Sequence, residues 1–229
     1  MFRKEIVVTE NQRVLMYRNQ LLDDVLMPGK HKFWDFSREL EFSEFNIDQL
    51  YFSPENAERL FDHNPLLAKH IQRWKLAGNQ AGLLFVHDLL RGIVAPGETL
   101  LIWKDAADVR LEPVDLAEVT VVDQQLMAQI KRAGVNSASR LIRSAYTAPI
   151  KPVYDIEIAG DHVGVLYVDG QLVKLLEPGS HGFWQFNQQV EVKVFDNRQQ
   201  LLEVSGQEIL SKDRVSLRLN LTATIRVRD

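Results

Sequence analysis

The stretch Val163–Phe186, VGVLYVDGQLVKLLEPGSHGFWQF, decides the reading of this chain, because two weaker versions of it lie upstream. Aligned on Pro28-Gly29, Pro96-Gly97 and Pro178-Gly179, the preceding residues fall into columns: Leu15, Leu83, Val165; Met16, Leu84, Leu166; Tyr17, Phe85, Tyr167; Leu22, Leu90, Leu172; Val25, Ile93, Leu175; Leu26, Val94, Leu176. A second apolar cluster follows each turn: Phe33-Trp34-Asp35-Phe36, Leu101-Ile102-Trp103 and Phe183-Trp184-Gln185-Phe186. A repeat at fixed register turns apparent sites into recurring structural positions, so it has to be settled before any motif is read.

Within each copy, two apolar runs flank a short polar pair. In the third copy that pair is Asp169-Gly170, which favours the type I′ turn of a β-hairpin. The Pro-Gly then ends the second strand, since proline has no N–H for a ladder and glycine allows the reversal. Two further strands follow in each copy. Ile6-Val7-Val8 reads as a lead-in strand to the first.

Between the copies the pattern turns helical. Ser53-Pro54-Glu55 is a start signal for a helix through Phe61. Asn64-Pro65 opens a second, with Leu66, Leu67, His70, Ile71 and Trp74 at helical spacing up to Gly78. After the second copy, Asp123 caps a helix carrying Leu126, Met127 and Ile130 with Gly134 past its end, and Ser137 caps another through Leu141, Ile142 and Ala145. The expected architecture is α+β: tandem small antiparallel β units with helix pairs, at residues 1–79 and 80–148, then a proline-bearing linker over 147–153 and a third unit at 154–229. From Val215 to Val227 apolar and polar residues alternate without a break, which predicts a long strand with one face buried and one wet.

Bulk properties narrow the function. A chain of 229 residues, 45% apolar and 25% charged, has enough core to fold without metal or disulfide. Its net charge of −4 gives no reason to expect nucleic acid. The absence of cysteine removes thiol chemistry and thiolate metal sites. No run of about 18 apolar residues is present.

The third copy and its extension resemble the stomatin/prohibitin/flotillin superfamily, the SPFH or band 7 domain, and within it the slipins. The matching residues are Gly164 to Val168, Pro178-Gly179 with His181, Phe195-Asp196-Asn197-Arg198, and above all Gln207-Glu208-Ile209-Leu210-Ser211-Lys212-Asp213-Arg214-Val215-Ser216 leading to Val227-Arg228-Asp229. The first two copies resemble divergent duplicates of the first half of that domain. The resemblance implies a non-enzymatic scaffold that self-associates and organises membrane-linked proteins or a membrane protease. It also implies a cytoplasmic location, peripheral to the inner face of the membrane in the full-length protein. In the family a long helical tail follows, so the chain reads as C-terminally truncated. Stable homo-oligomers are expected to need that missing region, leaving these residues a monomer or weak dimer. The alternative is a soluble shell- or ring-forming β-repeat protein resembling the major vault protein, without a membrane role.

No catalytic, cofactor-binding or metal site is expected. Gly92 to Thr99 imitates a phosphate loop, but Glu98 stands where that loop needs lysine. The six histidines form no metal-binding pair, and His31 and His181 recur at one repeat position, which points to turn stabilisation. Asp23-Asp24 and Asp105 with Asp108 read as solvated turn carboxylates. Trp34 and Trp184 are the candidate lipid or partner contacts, because adjacent strand residues face opposite ways and Phe33 and Trp34 cannot both point inward.

Overall fold

The computed structural model describes residues 3–117, 121–143, 150–186 and 188–225. It is built mostly of small antiparallel sheets with few helices, so the α+β expectation holds. One five-strand connectivity occurs three times. In the first set, β2 (Gln12–Arg18) lies between β3 (Leu21–Leu26) and β5 (Leu40–Asn46), while β1 (Arg3–Val8) pairs with β4 (Gly29–Trp34). The second set repeats this with β6 (Ile71–Lys75), β7 (Gln80–Val86), β8 (Leu89–Val94), β9 (Thr99–Trp103) and β10 (Val109–Asp115). Leaving out β11 (Val121–Val122) and β12 (Leu141–Ile142), the third set is β13 (Val153–Ile158), β14 (His162–Val168), β15 (Gln171–Leu176), β16 (Gly179–Trp184) and β17 (Val190–Asp196).

The sets share details finer than strand order. Each hairpin turns on two residues of positive φ, Asn19-Gln20, His87-Asp88 and Asp169-Gly170, which is the type I′ conformation that matches strand twist. Each carries a register shift at the same place, before Tyr17, Phe85 and Tyr167. A bulge there increases the local twist of the hairpin.

The helical segments are fewer and shorter than the capping signals suggest. Helix α1 spans Ala57–His63, and α2 is a single turn, Leu67–His70. The second expected helix stops there, because Ile71 to Lys75 become β6 and pair with β9. Ile71 and Trp74 suit a strand as well as a helix, so the partner strand decides between them. Helix α3 (Gln124–Ala133) forms as expected, with the Asp123 carboxylate accepting from the Leu126 N–H at 2.9 Å and Gly134 at φ +63° past its end. The helix expected from Ser137 is absent. Leu141–Ile142 form β12, parallel to Ile93–Val94 of β8, and Ile142 fills the space that a side chain on Gly92 would occupy. Ala145, part of that expected helix, lies outside the described residues.

The chain divides into two compact units, residues 1–119 with 129–152, and 120–128 with 153–229. The first holds two sets of strands. Its core has three clusters: Val8, Val14, Met16, Leu26 and Leu40 inside the first set; Leu76, Leu84, Val94, Leu100 and Ile102 inside the second; and Leu15, Val25, Ile47, Phe52, Leu67, Ile71, Leu101 and Trp103 joining them. The second unit centres on Ile158, Leu166, Leu176, Phe183 and Val190. In it, β11 pairs with β16 on the edge that β13 leaves open, and the start of α3 lies over Gly182.

Beyond the third set, β18 (Gln200–Leu210) and β19 (Ser216–Ile225) form one long hairpin. The long terminal strand is therefore present as far as the described residues extend, but the expected buried face is not. Every residue of both strands is exposed. Among the described residues the two strands pair only with each other, and a two-stranded ribbon has no second layer against which to bury a face.

Gly182 sets the approach of α3. A Cβ built there would stand 2.3 Å from the Met127 sulfur and 2.8 Å from its Cγ. Gly182→Val is expected to lower stability by about 1–3 kcal/mol, the usual cost of overpacking, read as a fall in the urea midpoint.

Candidate interaction surface

Strand pairing gives the true equivalences between the sets. Arg3 faces Trp34, Ile71 faces Trp103 and Val153 faces Trp184, so the three tryptophans occupy one structural position. The sequence columns misplace Trp103 by one residue, because the turn at Gly97 (φ +78°) holds one residue more than its counterparts. With this correction, Ile102 matches Phe33 and Phe183, and Leu101 matches Lys32 and Gly182.

Alternation along the strand then assigns the faces. Phe33, Ile102 and Phe183 each pack into their own set's core. The tryptophans point the other way. Trp103 is 1% exposed, set between Phe45 (ring centroids 5.9 Å) and Phe52 (5.3 Å, edge-on), and clustered with Leu15 and Val25 of the first hairpin. Arg13 reinforces this joint, its guanidinium 3.0 Å from Asp105. Asp105 is thus an ion-pair partner rather than a purely solvated carboxylate.

Of the two candidate contacts, only Trp34 is at the surface. It is 66% exposed, with the ring of Phe36 stacked on it at 6.0 Å. Trp184 is buried, at 1% exposed. The difference follows from their neighbours. Beside Trp184 on the same face, Gly182 accepts Met127 from α3, while the equivalent of Gly182 in the first set is the exposed Lys32.

The second unit carries a larger exposed apolar surface. On the face of its hairpin sheet that corresponds to Leu15, Leu22, Val25 and Phe45, Leu172 is 63%, Leu175 53% and Phe195 47% exposed. Leu201, Leu202, Leu210, Leu217, Leu219, Leu221 and Ile225 extend the exposed apolar side chains along β18 and β19. The alternation of Leu217, Leu219, Leu221 and Ile225 was legible in the sequence, but their full exposure was not. Scattered apolar residues need no explanation on a protein surface; a contiguous run on strands with open backbone edges marks an interaction site.

The polar motifs are structural. The Nε2–H of His31 donates to the Met27 carbonyl and that of His181 to the Glu177 carbonyl, both at 2.7 Å, closing the same turn in two sets. At Phe195-Asp196-Asn197-Arg198, Asp196 accepts from the Arg198 backbone N–H at 2.9 Å and from its guanidinium at 2.7 and 3.0 Å. These bonds favour the ionised carboxylate and hold its pKa at about 2. The Lys4 ammonium, 2.8 Å from Asp35, likewise lowers the pKa of that buried acid, aided by the Glu39 N–H. Among the described residues no three His, Asp or Glu side chains gather as metal donors, and no helix is long and apolar enough to cross a membrane.

Residues 156–229 match the SPFH domain / Band 7 family. The match spans the second half of β13, the last four strands of the third set and the long hairpin. No curated protein and no solved structure matches the chain at a significant level.

Two outcomes check these assignments. At low protein concentration, Trp103→Ala is expected to cost about 3–5 kcal/mol and Trp34→Ala less than about 0.5, compared by denaturant unfolding. For Asp196 the folded pKa lies below the ordinary value of about 3.9, so its contribution to stability is present above that value and is lost as pH falls towards 2. NMR titration of its carboxyl should give a midpoint near 2, and Arg198→Gln should return it towards the ordinary value.

Proposed function

We propose that the chain is a non-catalytic, slipin-like scaffold that self-associates and gathers membrane proteins or a membrane protease at the cytoplasmic face of a membrane. The family match over 156–229 carries this reading, because the matched segment is also where the exposed apolar strands lie. Such a surface suits binding of protein to protein, and its open strand edges suit pairing with another chain. In the same reading, the two upstream strand sets are duplicates of the first half of the matched domain. The shared strand order, turn type and bulge position support that origin.

A second reading is a shell- or ring-forming β-repeat protein without a membrane role. The Trp103 joint favours it, since it shows one set packing directly on the next. Vesicle flotation combined with sedimentation separates the two. The scaffold reading expects concentration-dependent self-association and co-flotation of the full-length protein with vesicles of anionic and neutral lipid. Self-association without flotation would replace it with the shell reading, and a strictly monomeric protein that does not float would remove both.

A further inference from the structure

Each tryptophan strand has one edge taken by the first strand of its own set. In two of the three sets the other edge is taken as well. On β9, Tyr51 pairs with Ile102; the Phe52 N–H donates to the Leu101 carbonyl at 2.8 Å, and the Trp103 N–H to the Leu50 carbonyl at 3.1 Å. On β16, Val121 pairs with Phe183 and Val122 with Gly182. The donors come from one place in the chain plan. Tyr51-Phe52 follow Asn46, the end of β5, and Val121-Val122 follow Asp115, the end of β10. In both, two apolar residues precede a short polar one, Ser53 or Asp123.

The first set has the acceptor without the donor. Among the described residues β4 pairs only with β1, and Trp34 is exposed where Trp103 and Trp184 are buried. The third set has the donor without the acceptor. After Asp196, the end of β17, come Leu201-Leu202-Glu203, in which Leu201 is 62% and Leu202 51% exposed, on a strand paired among the described residues only with β19. The hairpin face that would accompany this donor is also uncovered. Phe45, packed on Trp103 in the internal joint, corresponds to the half-exposed Phe195, and Val25 corresponds to Leu175.

We infer that the chain associates head to tail. The Leu172, Leu175 and Phe195 face and the Leu201-Leu202 strand of one copy cover Trp34 and β4 of a second copy, in the geometry that already joins the first two sets. The inference rests on the self-association proposed above and names its interface. Leu201 lies opposite Phe33 of the second copy and Leu202 opposite Lys32, with Phe195 and Leu202 around Trp34 as Phe45 and Phe52 stand around Trp103. Such an interface is heterologous, so it propagates into a ring or an open filament rather than stopping at a two-fold dimer.

The absence of native cysteine makes the register directly testable. In this antiparallel pairing Lys32 and Leu202 face each other as a hydrogen-bonded pair, with Cα atoms about 5.5 Å apart, within disulfide reach. Both side chains are exposed, so Lys32→Cys and Leu202→Cys leave the fold intact. Under mild oxidation, a mixture of the two single variants should give a disulfide-linked dimer that neither gives alone, and the double variant should give a ladder of linked multimers. Trp34→Asp or Phe195→Asp should lower association of the otherwise native chain at least about tenfold in sedimentation. Native protein that associates while the mixture stays unlinked would overturn the head-to-tail interface and leave self-association standing. So would single variants that link to themselves as readily as the mixture does, or a double variant that links only within one chain. A chain of residues 1–229 that stays monomeric at every concentration would overturn this interface, and full-length protein that also stays monomeric would remove the scaffold reading with it.

Discussion

A strand in a small sheet has two faces, and one hairpin can bury only one of them. Each tryptophan-bearing strand meets this constraint in the same way. Its inward residue, Phe33, Ile102 or Phe183, fills the core of its own set, which leaves the tryptophan side for something else to cover. At Trp103 the cover is the first hairpin together with Phe52, and there the ring sits among seven other buried apolar residues. Burying an indole of this size contributes more than any single hydrogen bond in the joint, so packing between neighbours is a condition of stability for sets of this size.

The donated strands follow from the same constraint. Residues 50–52 and 121–122 are too short to form sheets alone, yet each closes the open edge of a tryptophan strand and brings a buried side chain, Phe52 or Val122, onto the joint. The chain has no cluster of metal donors among its described residues, and His31, His181 and the Asp-Asn-Arg turn hold loops. Exposed apolar area and open backbone edges are concentrated where the Band 7 family matches.

Much of this was legible in the sequence because it is local. The hairpins show in their alternation, the turns in Asp169-Gly170 and the Pro-Gly pairs, and α3 in Asp123 and Gly134. What failed was set by distant partners. Ile71 to Lys75 carry an apolar spacing compatible with either period, and only β9 makes them a strand. Leu141-Ile142 join β8 because Gly92 leaves room for Ile142, a fit no local pattern announces. The opposite fates of Trp34 and Trp184 were likewise hidden. They turn on Lys32 in one set and Gly182 in the other, a difference that means nothing until a helix is placed above it.

The extra residue at Gly97 has a consequence for how such a chain tolerates change in length. A strand has a period of two, so an insertion within it exchanges its faces, and Trp103 would then point into its own hairpin while Ile102 faced the neighbour. Placed in the turn instead, the added residue is absorbed by a backbone excursion at φ +78°, and Trp103 keeps the phase of Trp34 and Trp184. The Pro-Gly turn is therefore where a strand set of this kind can take an added residue without losing the ability to stack, whereas the stretch from the turn to the tryptophan is held to a fixed phase.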